Sequence, residues 1–161
     1  MIIFTPNTVI KSADINYNLD GIKTHLYNIK SIDSNFSAAG VRFTTTSASY
    51  VDITNCSFNY TSGVLSEKLV LNYDIMANAS ANIGEVQLLI NNVQVGKTLY
   101  IDASSSWVRA GSGLVYSMPA STTYAIKLQA KISGGSTFSV TNESNVWKPT
   151  ITGVAIPVGV V

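Results

Sequence analysis

The feature that most constrains this chain is a change of hydrophobic period near residue 40. Beyond it, apolar residues recur at every second position, the spacing that sets one face of an extended strand against a core. Leu69, Leu71, Tyr73 and Ile75 alternate with Val70, Asn72, Asp74 and Met76. Val86, Leu88 and Ile90 alternate with Gln87 and Leu89, and Tyr124, Ile126, Leu128, Ala130 and Ile132 with Ala125, Lys127, Gln129 and Lys131. Near the end, Val154, Ile156, Val158 and Val160 share one face, opposite Ala155, Pro157, Gly159 and Val161. Thr61-Ser62-Gly63, Asn91-Asn92, Gly111-Ser112-Gly113 and Ser133-Gly134-Gly135-Ser136 supply turn chemistry between the runs. This pattern predicts eight or nine short strands and no second long helix, hence a sandwich or a barrel. Eight strands over about 120 residues is the size of a jelly roll. The expected fold is therefore mainly β: a jelly-roll-like antiparallel β-sandwich over residues 40–161, preceded by an extended arm and one helix within residues 1–39.

The N-terminal part follows other rules. Residues 1–11 are apolar, with Ile2, Ile3, Phe4, Val9 and Ile10, but have no helical period and carry Pro6. They are expected to form an extended arm. In residues 12–30, Ile15, Leu19, Ile22, Leu26 and Ile29 fall at spacings of four and three, a heptad seam. Ser12 suits the N-cap, and Asp14 lies in the first turn, where the helix dipole favours an anion. Leu19 and Leu26 at a, with the isoleucines at d, disfavour two strands and favour three or four. The same stripe also fits one amphipathic helix packed on its own domain. Several later strands are apolar on both faces, as in Leu88-Leu89-Ile90, which calls for a covering element or another subunit. Seam and covered faces together fit a homotrimer with a short coiled coil leading into a β-head. The arm then either docks on a partner, as a groove ligand or an added edge strand, or folds back on its own head.

Charge narrows the partners. Of 161 residues 12% are charged, with ten Lys and Arg against nine Asp and Glu, where an ordinary soluble domain carries about 25%. No basic stripe tracks phosphates, so nucleic acid is not an expected partner. Mean hydropathy is +0.24, but no apolar run approaches the roughly 18 residues of a spanning helix, so membrane insertion is not expected either. The start of the chain lacks the basic region of a secretory signal. Cys56 is the one cysteine, expected as a small core residue.

The residues that carry chemistry are sparse. His25, the one histidine, falls on a flank of the seam and has no triad around it. One Cys and one His fall short of a zinc set, and no Gly-rich loop joins a strand to a helix as a phosphate cradle. Asp52, Glu67, Asp74, Glu85, Asp102 and Glu143 are scattered, with no pair set apart for glycoside cleavage. Neither enzyme activity nor a cofactor or metal is expected. Two tryptophans remain. Trp107 beside Arg109, within Ser-Ser-Ser-Trp-Val-Arg, could stack on a sugar ring; Trp147 and Trp107 alike also suit a core or subunit contact.

Residues 5–29, running Thr-Pro-Asn-Thr-Val-Ile-Lys-Ser-Ala-Asp-Ile-Asn-Tyr-Asn-Leu-Asp-Gly-Ile and on to Ile29, resemble a pattern at the start of tailed-bacteriophage fibre and head-decoration proteins. The segments 86–96, 124–130 and 149–156 are similar in style to the trimeric jelly-roll heads of such proteins. The resemblance implies a structural virion protein located on the capsid or tail surface. It would be a homotrimeric decoration, head-fibre or short tail-fibre component, anchored to capsid or tail proteins through its N-terminus. The alternative is a module that recognises a host-surface glycan, with Trp107 and Arg109 as its contacts.

Overall fold

The computed structural model describes residues 30–35, 42–103, 106–141 and 148–158. The arm residues Ile2, Ile3, Phe4, Val9 and Ile10, the seam residues Ile15, Leu19, Ile22, Leu26 and Ile29, and also His25 and Trp147, lie outside them. Among the described residues there are ten strands and no helix: β1 (Lys30–Asn35), β2 (Phe43–Thr45), β3 (Val51–Thr61), β4 (Glu67–Ala79), β5 (Gly84–Ile90), β6 (Val93–Ile101), β7 (Val108–Met118), β8 (Thr123–Ile132), β9 (Phe138–Val140) and β10 (Thr150–Pro157). Two of them, β2 and β9, are three-residue pieces that pair with each other. Of the other eight, β3–β8 and β10 lie where the period predicts strands, whereas β1 falls in the segment expected to hold only an arm and a helix.

Those eight are wound as a jelly roll. One sheet runs β1-β10-β4, with β7 on the far side of β4; the other runs β3-β8-β5-β6. The antiparallel partners are therefore first with last (β1 with β10), second with seventh (β3 with β8), third with sixth (β4 with β7) and the central hairpin (β5 with β6). A long antiparallel ribbon rolled up on itself gives this order, and the two sheets close on each other. The ladder β9-β2 extends the first sheet beyond the end of β10, because β9 takes over from β10 along Ala77–Ala79, the last residues of β4.

The core faces are those the alternation predicts. Leu69, Leu71, Tyr73 and Ile75 of β4, Val86, Leu88 and Ile90 of β5, and Tyr124, Ile126, Leu128, Ala130 and Ile132 of β8 are buried in one cluster. Cys56 sits in the same cluster, as expected, and burial pushes its thiol up to about 12. In β10 the two faces are equally apolar in sequence, and the structure turns Ile151, Ala155 and Pro157 inward while Val154 is exposed.

The expected turn at Gly111-Ser112-Gly113 is not a turn. The three residues lie in the middle of β7, paired with Asp74, Tyr73 and Asn72 of β4. A Cβ at position 113 would lie 2.6 Å from Asn72 Oδ1, and one at 111 would lie 2.9 Å from Asp74 Cβ. Glycine serves there because the neighbouring strand's side chains lie flat across β7.

At the end of the molecule where β1 begins, two loops are tied together. Ser62 donates from its Oγ to the Pro119 carbonyl at 2.7 Å, and Ser121 N–H donates to Gly63 O at 2.7 Å. Glu67, with 2% of its side chain exposed, accepts from Tyr60 OH at 2.7 Å and from Gly63 N–H at 2.9 Å, and lies 3.8 Å from Lys30 Nζ. Residues 30–35, which the division at residue 40 assigns to the N-terminal segment, are thus an edge strand of the first sheet, and Lys30 also reaches Glu67.

Candidate functional site

Two surfaces carry features beyond what a solvent face requires. The first is the outer face of the sheet that contains β4. Register places Val154 of β10 beside Val70 of β4, and Val70 beside Val115 of β7, in one cross-strand row that starts at Ser31 of β1. Val115 is 62% exposed and Val154 37%. Ile156 lies in the adjacent row with Lys68 and Ser117. An outer face of an antiparallel sheet is ordinarily polar. On the other side of the valines, Asn72 and Asp74 lie over the glycines of β7, and Arg109 Nη2 donates to Asp74 Oδ2 at 2.8 Å. The result is a level apolar strip with a polar rim.

The second surface is the outer face of the sheet β3-β8-β5-β6. In one row Lys131 of β8 stands beside Glu85 of β5, and Glu85 beside Tyr100 of β6. Tyr50, just ahead of β3, completes it: its hydroxyl donates to Glu85 Oε2 at 2.8 Å, Lys131 Nζ is 3.2 Å from Glu85 Oε1, and the same ammonium lies 4.7 Å from the Tyr50 ring centre. In the next row Gln87 Nε2 donates to Gln129 Oε1 at 3.0 Å, and Gln129 Nε2 donates to Asp52 Oδ1 at 2.7 Å. Lys127 Nζ is 3.0 Å from Asp52 Oδ1. The Gln129 amide, joined by Lys127, holds the Asp52 carboxyl below its usual range. Burial, and then Glu85, push the Tyr50 hydroxyl up to about 12.

A bulge shapes the β6 side of this face. Between the pairs Val86–Leu99 and Leu88–Val95 the register shifts, so Gly96, Lys97 and Thr98 stand opposite Gln87 alone. Gly96 has φ +71°, a left-handed conformation that glycine takes without strain. The bulge turns the Lys97 carbonyl inward to accept the buried Tyr73 hydroxyl, and Thr98 Oγ1 accepts from Gln94 Nε2 at 2.9 Å.

Trp107 and Arg109, singled out together from sequence, take separate partners. The Arg42 guanidinium lies 4.9 Å from the centre of the Trp107 ring, while Arg109 is turned to Asp74. Asp52 and Glu85 stand out in sequence only as scattered carboxylates, and Tyr50, Gln87, Tyr100, Gln129 and Lys131 carry no motif. Strand parity places Glu85 and Gln87 on one polar face and Lys127, Gln129 and Lys131 on another. Only the pairing of β5 with β8 makes them one surface. Among the described residues no group of three or more His, Cys, Asp or Glu could hold a metal ion, and no helix is long and apolar enough to cross a membrane.

No family model matches the sequence, and no curated protein does. Among solved structures the chain is similar to dimeric latent PorU from Porphyromonas gingivalis, at 12% identity and TM-score 0.50, over 81% of this chain and 13% of that one. It is also similar to the infectious bursal disease virus Gx strain structure, at 14% identity and TM-score 0.42, over 81% of this chain and 37% of that one. A family 35 carbohydrate binding module from an environmental isolate aligns at 19% identity and TM-score 0.36, over 80% of this chain and 91% of the module. The chain thus spans well under half the length of the first two. At 12% identity the likeness to PorU is one of fold, and function does not follow from fold alone.

Proposed function

We propose that this chain is a structural protein of a bacteriophage virion surface, a trimeric decoration, head-fibre or short tail-fibre component that acts without catalysis. Its jelly-roll head is displayed, and its N-terminal segment attaches it to capsid or tail proteins. The likeness of residues 5–29 to the start of such proteins supports the attachment. The observation that carries the assembly is the apolar row Val154–Val70–Val115, exposed at Val154 and Val115 and half-buried at Val70. Left in water, such a row gains nothing; packed against a second copy, each valine gains in proportion to the surface it still exposes, up to about 1.5–3 kcal/mol for a fully exposed side chain. The row starts beside Ser31, one residue after the point where the seam segment joins the head. Subunits gathered by Ile15, Leu19, Ile22, Leu26 and Ile29 would meet on this face.

Light scattering on the purified full chain tests the reading. A trimer mass at micromolar concentration is expected, and the double substitution Val115→Lys with Val154→Lys should lower that mass while leaving a cooperative melt. A wild-type monomer would sink the proposal. So would a doubly substituted chain that stays fully trimeric, because the valine row would then not be the contact.

A further inference from the structure

The polar face of β3-β8-β5-β6 is more ordered than a solvated surface needs to be. Surface lysines and glutamines ordinarily keep their rotamer freedom. Here Tyr50, Glu85 and Lys131 in one row, and Gln87, Gln129 and Asp52 in the next, are held in two sets of contacts of 2.7–3.2 Å. Fixing polar groups in advance is what lowers the cost of binding a ligand.

The chemistry of the set narrows the ligand. Asp52 and Glu85 are matched by Lys127 and Lys131, so the two contact sets carry no net charge. An anion would meet two carboxylates and a cation two ammonium groups, whereas a neutral molecule disturbs neither pair. The amide relay runs one way, from Gln87 to Gln129 to Asp52, and leaves Gln87 Oε1 at its head. No described residue donates to that oxygen, although Gln87 is only 7% exposed. A buried acceptor of this kind is unfavourable until a hydroxyl or water supplies a proton. Tyr50 lies across Lys131 and Glu85 with its hydroxyl reaching towards β6, and Tyr100, 64% exposed, stands beyond it at the end of the row. Four strands at their usual spacing put about 14 Å between the outermost two, the length of a short run of sugar rings.

We propose that this face is a recognition platform for neutral oligosaccharides. Tyr100 offers its ring to the C–H face of a pyranose, as amphipathic aromatics do at recognition surfaces. Gln87 Oε1 and the outward lone pairs of Asp52 and Glu85 accept ligand hydroxyl protons. The paired lysines hold both carboxylates in place. This is a different surface from the valine row, so recognition and assembly would not compete.

An array of neutral oligosaccharides printed beside anionic ones, probed with the full-length protein, supplies the test; titration calorimetry with the best neutral oligosaccharide follows. Binding to a neutral oligosaccharide is expected, with Kd raised at least tenfold by Tyr100→Ala and at least fivefold by Gln87→Met. Tyr100 is on the surface, so its substitution should leave the melt unchanged and keep the result readable. Arg109→Ala, on the other sheet, should bind as wild type. The proposal is overturned if no neutral oligosaccharide binds, if only anionic ones do, or if Tyr100→Ala binds with undiminished affinity. A Tyr100→Ala change in oligomeric mass without any sugar binding would make this face a protein contact instead, and equally overturns it.

Discussion

Tyr50 shows how much a single hydroxyl is asked to do on a mostly neutral surface. It donates to Glu85 and lies under Lys131, and burial followed by the Glu85 carboxylate raises its hydroxyl from an ordinary 10.0 to about 12. The folded chain therefore keeps this proton where the unfolded chain has lost it. Stability supplied by Tyr50 is complete below pH 10 and drains away as the pH rises through about 12. Melting curves of wild type and Tyr50→Phe measured from pH 8 to 12 check this. The variant should be destabilised by about 1 kcal/mol near neutrality, the net worth of one hydrogen bond, and should lose less than wild type on going above pH 10. Equal alkaline slopes would mean that Tyr50 titrates alike in both states. Burial also raises Tyr60 and Cys56, so the variant retains part of the alkaline loss.

Among the elements, the β5–β6 hairpin has the most local determination. Its loop is two residues, Asn91 and Asn92, at φ 51° and 63° between the paired Ile90 and Val93. That is the left-handed turn which follows strand twist, and asparagine tolerates it better than most residues. Asn91 also ties the turn to β8, exchanging backbone and side-chain hydrogen bonds of 2.8 and 2.9 Å with Ala125. Asn92→Ala should cost about 1 kcal/mol in urea unfolding, while Asn92→Gly should cost little or nothing; equal losses in both would put the sensitivity in the side chain instead. This turn was legible in sequence because its chemistry is local, as was the core face of β8, which alternates without interruption from Tyr124 to Ile132. Other features depend on neighbours that the chain meets only on folding. Gly111-Ser112-Gly113 reads as a turn until Asn72 and Asp74 are laid across it, and β10 reads equally well with either face inward. Tyr50, Glu85, Tyr100 and Lys131 are spread over some eighty positions, and only register gathers them. Trp107 drew notice by residue type, a signal that does not know where Arg42 will sit.

The whole molecule makes a prediction about where it may be cut. A head beginning at Gly40 holds the full period-two pattern, but it lacks β1, which covers the edge of β10 over six residues and brings Lys30 to Glu67. Uncovering a central strand and leaving Glu67, nearly sealed from solvent, without that ammonium should both weaken it. A fragment of residues 30–161 should therefore melt cooperatively and at a higher temperature than one of residues 40–161, by several degrees if β1 contributes about 1–2 kcal/mol. Circular dichroism on the two settles it, and indistinguishable melts would make β1 an ornament of the sheet. For the proposed trimeric assembly, deleting residues 1–11 should leave the oligomer and abolish incorporation into particles, since three arms acting together would gain avidity that none has alone. Decoration at full occupancy by the truncated protein would move attachment to the head.

The pairing of the first strand with the last has a mechanical meaning. Lys30 stands opposite Ala155, so the ends of β1 and β10 leave the roll side by side. Tension applied between Lys30 and Pro157 loads the β1–β10 ladder one rung at a time, as a zipper is opened. Tension on Lys30 alone, against the drag of the head, loads all the rungs of that ladder at once, in shear. A head tethered by one end thus resists a pull that the same head, grasped by both ends, would yield to.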